Sequence, residues 1–288
     1  MKPRKSSFGK VKQRSPQADG APPVRVAAIQ MASGPNVESN LREAGRLIAL
    51  AAMQGARLVA LPEFFPLMGL KETDKVAVRE APGKGPIQRF IAEAARRHRV
   101  WIAAGSVPLQ ATDPGKVRNT LLLFDDRGAQ VARYDKIHLF GFEMGAERYD
   151  ESRTIEPGNE VVAVDTPFGR IGLSICYDLR FPELYRAMGP VDLILVPSAF
   201  TETTGKAHWE TLLRARAIEN LAYVIAPAQG GYHLSGRETH GDSMIIDPWG
   251  TVLDRLSRGS GIVSAGIHID HVKRLRERLP ALSHRTLR

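Results

Sequence analysis

Residues 170–183 read Arg-Ile-Gly-Leu-Ser-Ile-Cys-Tyr-Asp-Leu-Arg-Phe-Pro-Glu. The apolar run Ile171–Ile175 is strand-length, and Pro182 has the fixed φ that suits the first turn of a helix. The stretch therefore predicts a strand over 170–176, a turn, and a helix over Pro182–Met188. Repeated, such units make an α/β protein of sheets covered by helices. At the corner stands Cys176, the one cysteine of the chain. Without a second thiol it can form neither an intramolecular disulfide nor a thiolate-rich metal site. It is then core filling, the commoner fate of a free cysteine, or chemistry. A strand-to-helix elbow favours chemistry. It exposes the sulfur, sets backbone N–H groups and the positive end of a helix beside it, and lowers its pKa.

Outward from this corner the alternation continues. Strand-like runs fall at 24–30, 58–61, 100–107, 119–125, 130–138 and 170–176, then at 193–196, 222–227, 243–247, 251–255 and 261–269, eleven in all. Leu41, Ala44, Leu47, Ile48, Ala51 and Ala52 make one helical apolar face; Ile87, Phe90, Ile91, Ala94 and Ala95 make another. A further helix is expected over His208–Asn220. Turns at Asp126-Arg127-Gly128 and Pro248-Trp249-Gly250 join strand pairs, so the sheets are mixed. Gly83-Lys84-Gly85 and Gly230-Gly231 lack phosphate-loop spacing and read as turns. No repeat and no internal linker interrupts the chain, and residues 24–288 are expected to form a single domain.

The first 23 residues are basic, polar and almost free of large apolar side chains, which predicts a disordered tail. They lack the apolar middle of a secretory signal. The longest apolar stretches, Leu47–Met53 and Leu193–Pro197, fall far short of the roughly 20 residues that span a bilayer. A cytoplasmic protein without membrane contact is the expectation. The formal charge of +9 sits at the ends. Residues 1–20 carry six basic side chains against Asp19, and residues 271–288 carry six against Glu277; the body between is near neutral. Basic ends on a neutral body are expected to be solvated, and do not make the clustered groove that nucleic acid requires. No His, Cys and carboxylate spacing resembles a metal site, and no cofactor is expected.

Two further charged residues follow apolar strands. Glu63, in Leu-Val-Ala-Leu-Pro-Glu-Phe-Phe (58–65), lies between residues expected to be buried; such surroundings raise a carboxylate pKa and suit a general base. Lys136, in Arg-Tyr-Asp-Lys-Ile-His-Leu-Phe (133–140), stands where a strand becomes a loop. A lone Glu or Lys is ordinarily a surface charge. As a set the three segments resemble the Glu-Lys-Cys motifs of the carbon-nitrogen hydrolase (nitrilase) superfamily, in the same order and with similar separations, 73 residues from Glu63 to Lys136 and 40 from Lys136 to Cys176. The likeness runs from Val24 nearly to the C-terminus. The runs 197–220 and 228–244 resemble the Nit branch, and within it look closest to the deaminated glutathione amidases, with the ω-amidases second.

The resemblance implies an α-β-β-α sandwich that forms a homodimer, and a hydrolysis in which Cys176 attacks an amide carbonyl and ammonia leaves. Glu63 moves protons, Lys136 and the backbone N–H of Tyr177 hold the oxyanion, and water clears the thioester. A second glutamate matches Glu151, with Glu143 and Glu147, nearer Lys136 in sequence, as rivals. Arg180 suits a substrate carboxylate or else pairs with Glu183. Phe200 and Thr204 complete the expected substrate-binding set. His138 and His208 are expected to be structural, while His233 and His240 are candidates for the pocket mouth. The substrate implied is a small acidic amide, deaminated glutathione or α-ketoglutaramate. Other carbon-nitrogen hydrolase activities, on a nitrile or an N-carbamoyl amino acid, stand behind these, as does a catalytically silent binding protein.

Overall fold

The strand expected at the start of the folded region forms with the expected bounds, Val24–Gln30 (β1), and its alternation sorts the molecule into layers. Val26 and Ala28 face one core, Ala27 and Ile29 another, and all four are fully buried. The computed structural model describes residues 22–145 and 147–287. Residues 1–21 of the expected tail lie outside the described residues. After β1 come α1 (Val37–Met53), β2 (Leu58–Ala60), α2 (Asp74–Ala77), α3 (Pro86–His98), β3 (Trp101–Gln110), β4 (Val117–Phe124) and β5 (Gln130–Asp135). The chain continues through β6 (Gly141–Met144), β7 (Glu147–Asp150), β8 (Ala163–Thr166), β9 (Gly169–Leu173), α4 (Pro182–Ala187), β10 (Leu193–Leu195) and α5 (Glu202–Asn220). It ends with β11 (Tyr223–Ala226), β12 (Gly230–Tyr232), β13 (Glu238–His240), β14 (Ser243–Ile246), β15 (Val252–Leu256), β16 (Gly261–Ile267) and α6 (Ile269–Arg278).

Two six-stranded mixed sheets result, ordered β16-β1-β2-β3-β4-β5 and β15-β14-β11-β10-β9-β8. The apolar stripes of α1 and α3, among them Leu47, Ile48, Ile87 and Ile91, cover the outer face of the first sheet. Its inner face meets the second sheet in one continuous core that also takes in Leu184 and Tyr185 of α4 and Trp209 and Leu213 of α5. The layers are thus α-β-β-α, as expected. In the first sheet β1, β2 and β3 are parallel, and β5, antiparallel to β4, runs with them. In the second, β9, β10 and β11 are parallel. The residues that follow β2 and β5 therefore emerge at one edge of the first sheet, as those following β9 and β10 do in the second. Loops at the C-terminal edge of parallel strands are where open α/β sheets bind ligands.

Sequence patterning falls short in four places. The eleven expected strands are sixteen, because β6, β7, β8, β12 and β13 are short edge or hairpin strands with little apolar alternation; Gly230-Gly231, expected as a turn, lies in β12. Helix α5 begins at Glu202 rather than His208. Thr201 caps it by accepting from the Thr204 N–H, and Gly205, which reads as a breaker, is small because a Cβ there would lie 2.3 Å from the Cβ of His240. Part of the basic C-terminal stretch expected to be solvated forms α6, anchored by buried Val272 and by Arg276, which donates to the Leu221 carbonyl at 3.0 Å. Among the described residues no helix is long and apolar enough to cross a membrane.

Candidate active site

Glu63 sits three residues past β2, with its carboxylate buried in the protein. The loop that carries it leans on β3. A Cβ on Gly105 would come within 2.1 Å of the Pro62 carbonyl oxygen, and the Ser106 hydroxyl accepts the Phe64 N–H at 2.8 Å. Phe64 itself adopts φ +56°, a conformation that costs an L-residue about 1–2 kcal/mol and is tolerated where surrounding contacts enforce it. Lys136 follows β5 directly. Its backbone bonds the Asn119 carbonyl at 2.9 Å, which turns the side chain into the core.

Cys176 lies just beyond β9 and opens a short 3₁₀ turn, Cys176–Arg180, which leads into α4. Its φ is +50°, and its N–H donates to the Pro197 carbonyl at 2.9 Å. Buried Asp178 clamps the turn. Its Oδ2 accepts the Ile175 N–H and the Tyr134 hydroxyl at 2.9 and 2.7 Å, while Oδ1 takes the His138 N–H at 3.0 Å and meets its Nδ1 at 2.7 Å. The expected strand, turn and helix are present, but the expected exposure is not: Cys176 is 7% exposed.

The charges form a buried relay. Lys136 Nζ donates to Glu63 Oε1 at 2.9 Å and to both oxygens of Glu151 at 3.0 and 2.8 Å, and its side chain is inaccessible to solvent. Asn119 Nδ2 donates to the same Glu63 oxygen at 2.9 Å. Burial by itself pulls an ammonium pKa down, but Glu151 and then Glu63 outweigh it and hold Lys136 well above its ordinary value. Lys136 is therefore a fixed cation across the working pH range. For Cys176 the balance runs opposite to the sequence expectation. Burial, and next the Glu63 charge, push the thiol well above its ordinary value; Lys136 and a backbone hydrogen bond from Ala199 offset this only in part. This balance favours the protonated thiol over the thiolate.

A small pocket of about 270 Å³ brings together Glu63, Glu151, Cys176, Tyr177, Arg180, Phe200 and Thr204, seven of the eight expected site residues, with Lys136 buried behind them. The rivals for the second glutamate are elsewhere. Glu143 is an exposed residue of β6, 3.9 Å from Arg148, and Glu147 accepts from the Thr203 hydroxyl. Arg180 does not pair with Glu183; its guanidinium approaches His208 Nδ1 at 3.3 Å and lies over the rings of Tyr177 and Phe200.

The histidine candidates for the mouth do not reach it. His233 is buried between the Ser33 carbonyl and the Thr239 hydroxyl, and His240 pairs with Glu202 at 3.0 Å on another face. His138 stacks on Phe181 with ring centroids 3.7 Å apart, in keeping with a structural role. Sequence reasoning missed Phe140, Ala199, Thr201 and Arg237 of the pocket wall. It also missed Asn119, which stands between Arg118 and Thr120 ahead of the apolar run of β4 and carries no local signal of its own.

The carbon-nitrogen hydrolase family model matches residues 25–277. A deaminated glutathione amidase from Synechocystis sp. is 46% identical over 269 residues, which cover 91% of this chain and 98% of that protein. The crystal structure of the Caenorhabditis elegans NitFhit protein superposes with a TM-score of 0.84 at 39% identity, over 92% of this chain and 65% of that longer one. A mutant amidase from Nesterenkonia sp., solved after Michael addition of acrylamide at its active site cysteine, has a TM-score of 0.74 at 26% identity, over 89% of this chain and 98% of that one. The chain belongs to the carbon-nitrogen hydrolase family and is an amidohydrolase that cleaves carbon-nitrogen bonds other than peptide bonds.

Proposed function

We propose that the enzyme is a deaminated glutathione amidase that works through Cys176, Glu63 and Lys136 by way of a thioester. The observation that carries the mechanism is the Lys136 ammonium, buried between Glu63 and Glu151 behind the pocket that holds Cys176. The thiol is protonated at rest, so Glu63 removes its proton as Sγ attacks the amide carbonyl carbon. Oε2 is the oxygen suited to this, since the Lys136 and Asn119 bonds both fall on Oε1. The C–S bond forms, and the carbonyl electrons move to an oxyanion held by Lys136 and the Tyr177 N–H. As the oxyanion collapses the C–N bond breaks, and the proton on Glu63 passes to the nitrogen, which leaves as the amine: cysteinylglycine from deaminated glutathione, ammonia from a primary amide such as α-ketoglutaramate. Glu63 then takes a proton from water, water attacks the thioester, and the acid departs as Cys176 regains its proton. Glu151 keeps Lys136 charged and in place.

Arg180 supports an acidic substrate, since its guanidinium faces the pocket without a carboxylate partner among the described residues. Phe200, beneath the Arg180 guanidinium, and Thr204 line the same pocket. The second reading is an ω-amidase acting on free α-ketoglutaramate, and the small volume of the inner pocket favours it. Hydrolysis by wild type and Cys176→Ala decides, read as cysteinylglycine from deaminated glutathione and as ammonia from α-ketoglutaramate, a simple nitrile and an N-carbamoyl amino acid. Preference for the first supports the proposal; preference for the second makes the enzyme an ω-amidase; hydrolysis that persists in Cys176→Ala removes the mechanism. A homodimer is part of the proposal, to be read by sedimentation.

A further inference from the structure

Arg237 stands at a junction. It lines the reaction pocket beside Cys176, and it also lines two wider grooves that run outward between the loop at 64–75 and the β6–β7 hairpin. The reaction pocket shares Phe140 and Glu151, besides Arg237, with one of these grooves, so the two adjoin there. Arg237 is half-buried, its Nη2 donates to the Ala199 carbonyl at 2.7 Å, and its guanidinium lies 5.1 Å from the centroid of the Tyr149 ring. The buried Nε has no hydrogen-bond partner. Glu72, which feels its charge, is paired with Lys75, and Glu147, in the wall of one groove, accepts from the Thr203 hydroxyl through Oε1 while its buried Oε2 has no hydrogen-bond partner. An arginine held by one carbonyl and one ring, with a dry N–H left over, lacks the planar anion its fork is shaped for.

We propose that Arg237 is a specificity-determining residue that binds a carboxylate on the part of the substrate remote from the scissile amide. The inference rests on the amidase reading above and deepens it. Two guanidiniums then serve two anions. Arg180 takes a carboxylate next to the reacting group in the inner pocket, and Arg237 takes one on an extension lying in the groove. The substrate class this selects is an acidic amide with an anionic tail, such as a short peptide ending in a free carboxylate. Deaminated glutathione, with its C-terminal glycine, meets the description, whereas α-ketoglutaramate is too short to supply the second anion. Lys71, Arg148 and Arg153 line the same groove with Arg237, against Glu72, Asp150 and Glu151, which leaves its wall with a small excess of positive charge.

The experiment compares two substrates and two ends. In Arg237→Gln the ratio of kcat/KM for deaminated glutathione to that for α-ketoglutaramate is expected to fall about tenfold or more, chiefly through KM, as loss of a charge-assisted hydrogen bond entails. Arg237→Lys should recover part of it. Deaminated glutathione with its C-terminal carboxylate amidated should cost the wild-type enzyme a similar factor, and cost Arg237→Gln nothing more. An unchanged ratio, or an amidation penalty equal in both enzymes, overturns the proposal. The wild-type comparison of acid with amide holds even if the variants fold poorly. Calorimetric binding of the same two ligands to Cys176→Ala, with and without Arg237→Gln, separates the claims. If the wild type hydrolyses neither substrate the amidase reading fails, and the binding difference alone decides for or against Arg237.

Discussion

The carboxylate of Asp178 joins the loops that carry Lys136 and Cys176: through Oδ1 it holds the backbone N–H and the ring of His138, two residues after Lys136, while Oδ2 holds Ile175 N–H, one residue before Cys176. It is fully buried and also accepts the Tyr134 hydroxyl. Four donors converge on two oxygens, which makes Asp178 a positioning residue for both cation and thiol. Asp178→Asn keeps the volume but turns an NH₂ toward donors on one side. The expected cost is about 1–3 kcal/mol of stability, with kcat falling more than KM rises. Urea unfolding together with steady-state kinetics checks this, and a variant within about 0.5 kcal/mol of wild type at full rate would show the clamp to be dispensable.

Three glutamates compete in sequence for the place beside Lys136, and their environments predict different consequences. Glu151 bonds Nζ with both oxygens and also accepts the Phe140 N–H at 2.7 Å. Glu151→Gln leaves the buried ammonium with Glu63 as its one carboxylate, and kcat is expected to fall about 10²–10³-fold, the scale of losing one fixed electrostatic element in an acyl-transfer site. Glu143 carries an ion pair exposed on both sides, so Glu143→Gln should stay within about twofold of wild type. Parallel kcat measurements on the two variants test the assignment, and equal losses would be incompatible with it.

What the sequence disclosed and what it concealed follow one physical division. Long apolar alternation made β1, β3, β4, α1 and α3 legible, and motif order picked out Glu63, Lys136 and Cys176, which the fold brings together from strands far apart in the chain. Hidden were features set by tertiary neighbours. The first turn of α5 depends on a cap at Thr201 and on packing of Gly205 against His240, neither visible as periodicity. The hairpin β12–β13, which delivers Arg237, has no apolar face to announce it. The sign of the Cys176 pKa shift also escaped local reading. An elbow suggests exposure and helix-end stabilisation, but burial and the nearby Glu63 carboxylate dominate in the folded chain.

Gly105 tests how tightly the Glu63 loop is placed. A Cβ there would meet the Pro62 and Leu61 carbonyl oxygens at 2.1 and 2.2 Å, contacts that only backbone movement can relieve. Gly105→Ala is expected to cost about 1–3 kcal/mol through overpacking. Because the obstructed residues adjoin Glu63, kcat should fall by about 10²-fold, the typical effect of an ångström-scale misplacement. Measuring the melting temperature and the rate on one preparation checks both. Lost stability at an undiminished rate would mean that the loop yields without moving the carboxylate.

The raised pKa of Cys176 has a consequence for stability as well as for reactivity. Above its ordinary value, near 9.0, the unfolded chain releases the thiol proton while the folded chain still keeps it. The unfolded state then binds fewer protons than the folded one, so the stability contributed by this group falls as pH rises, by at most about 1.4 kcal/mol per pH unit. Cys176→Ala lacks that slope. The stability of wild type relative to Cys176→Ala is therefore expected to be flat from pH 6 to about pH 8.5 and to decline above it, as urea unfolding across the range would show. Alkylation of the ligand-free enzyme by iodoacetamide should likewise be slow near neutrality and still rising with pH beyond the ordinary thiol range. A plateau below about pH 8 would instead mean that Lys136 prevails over burial and Glu63, that the resting group is a thiolate ion pair, and that Glu63 is not needed to remove its proton.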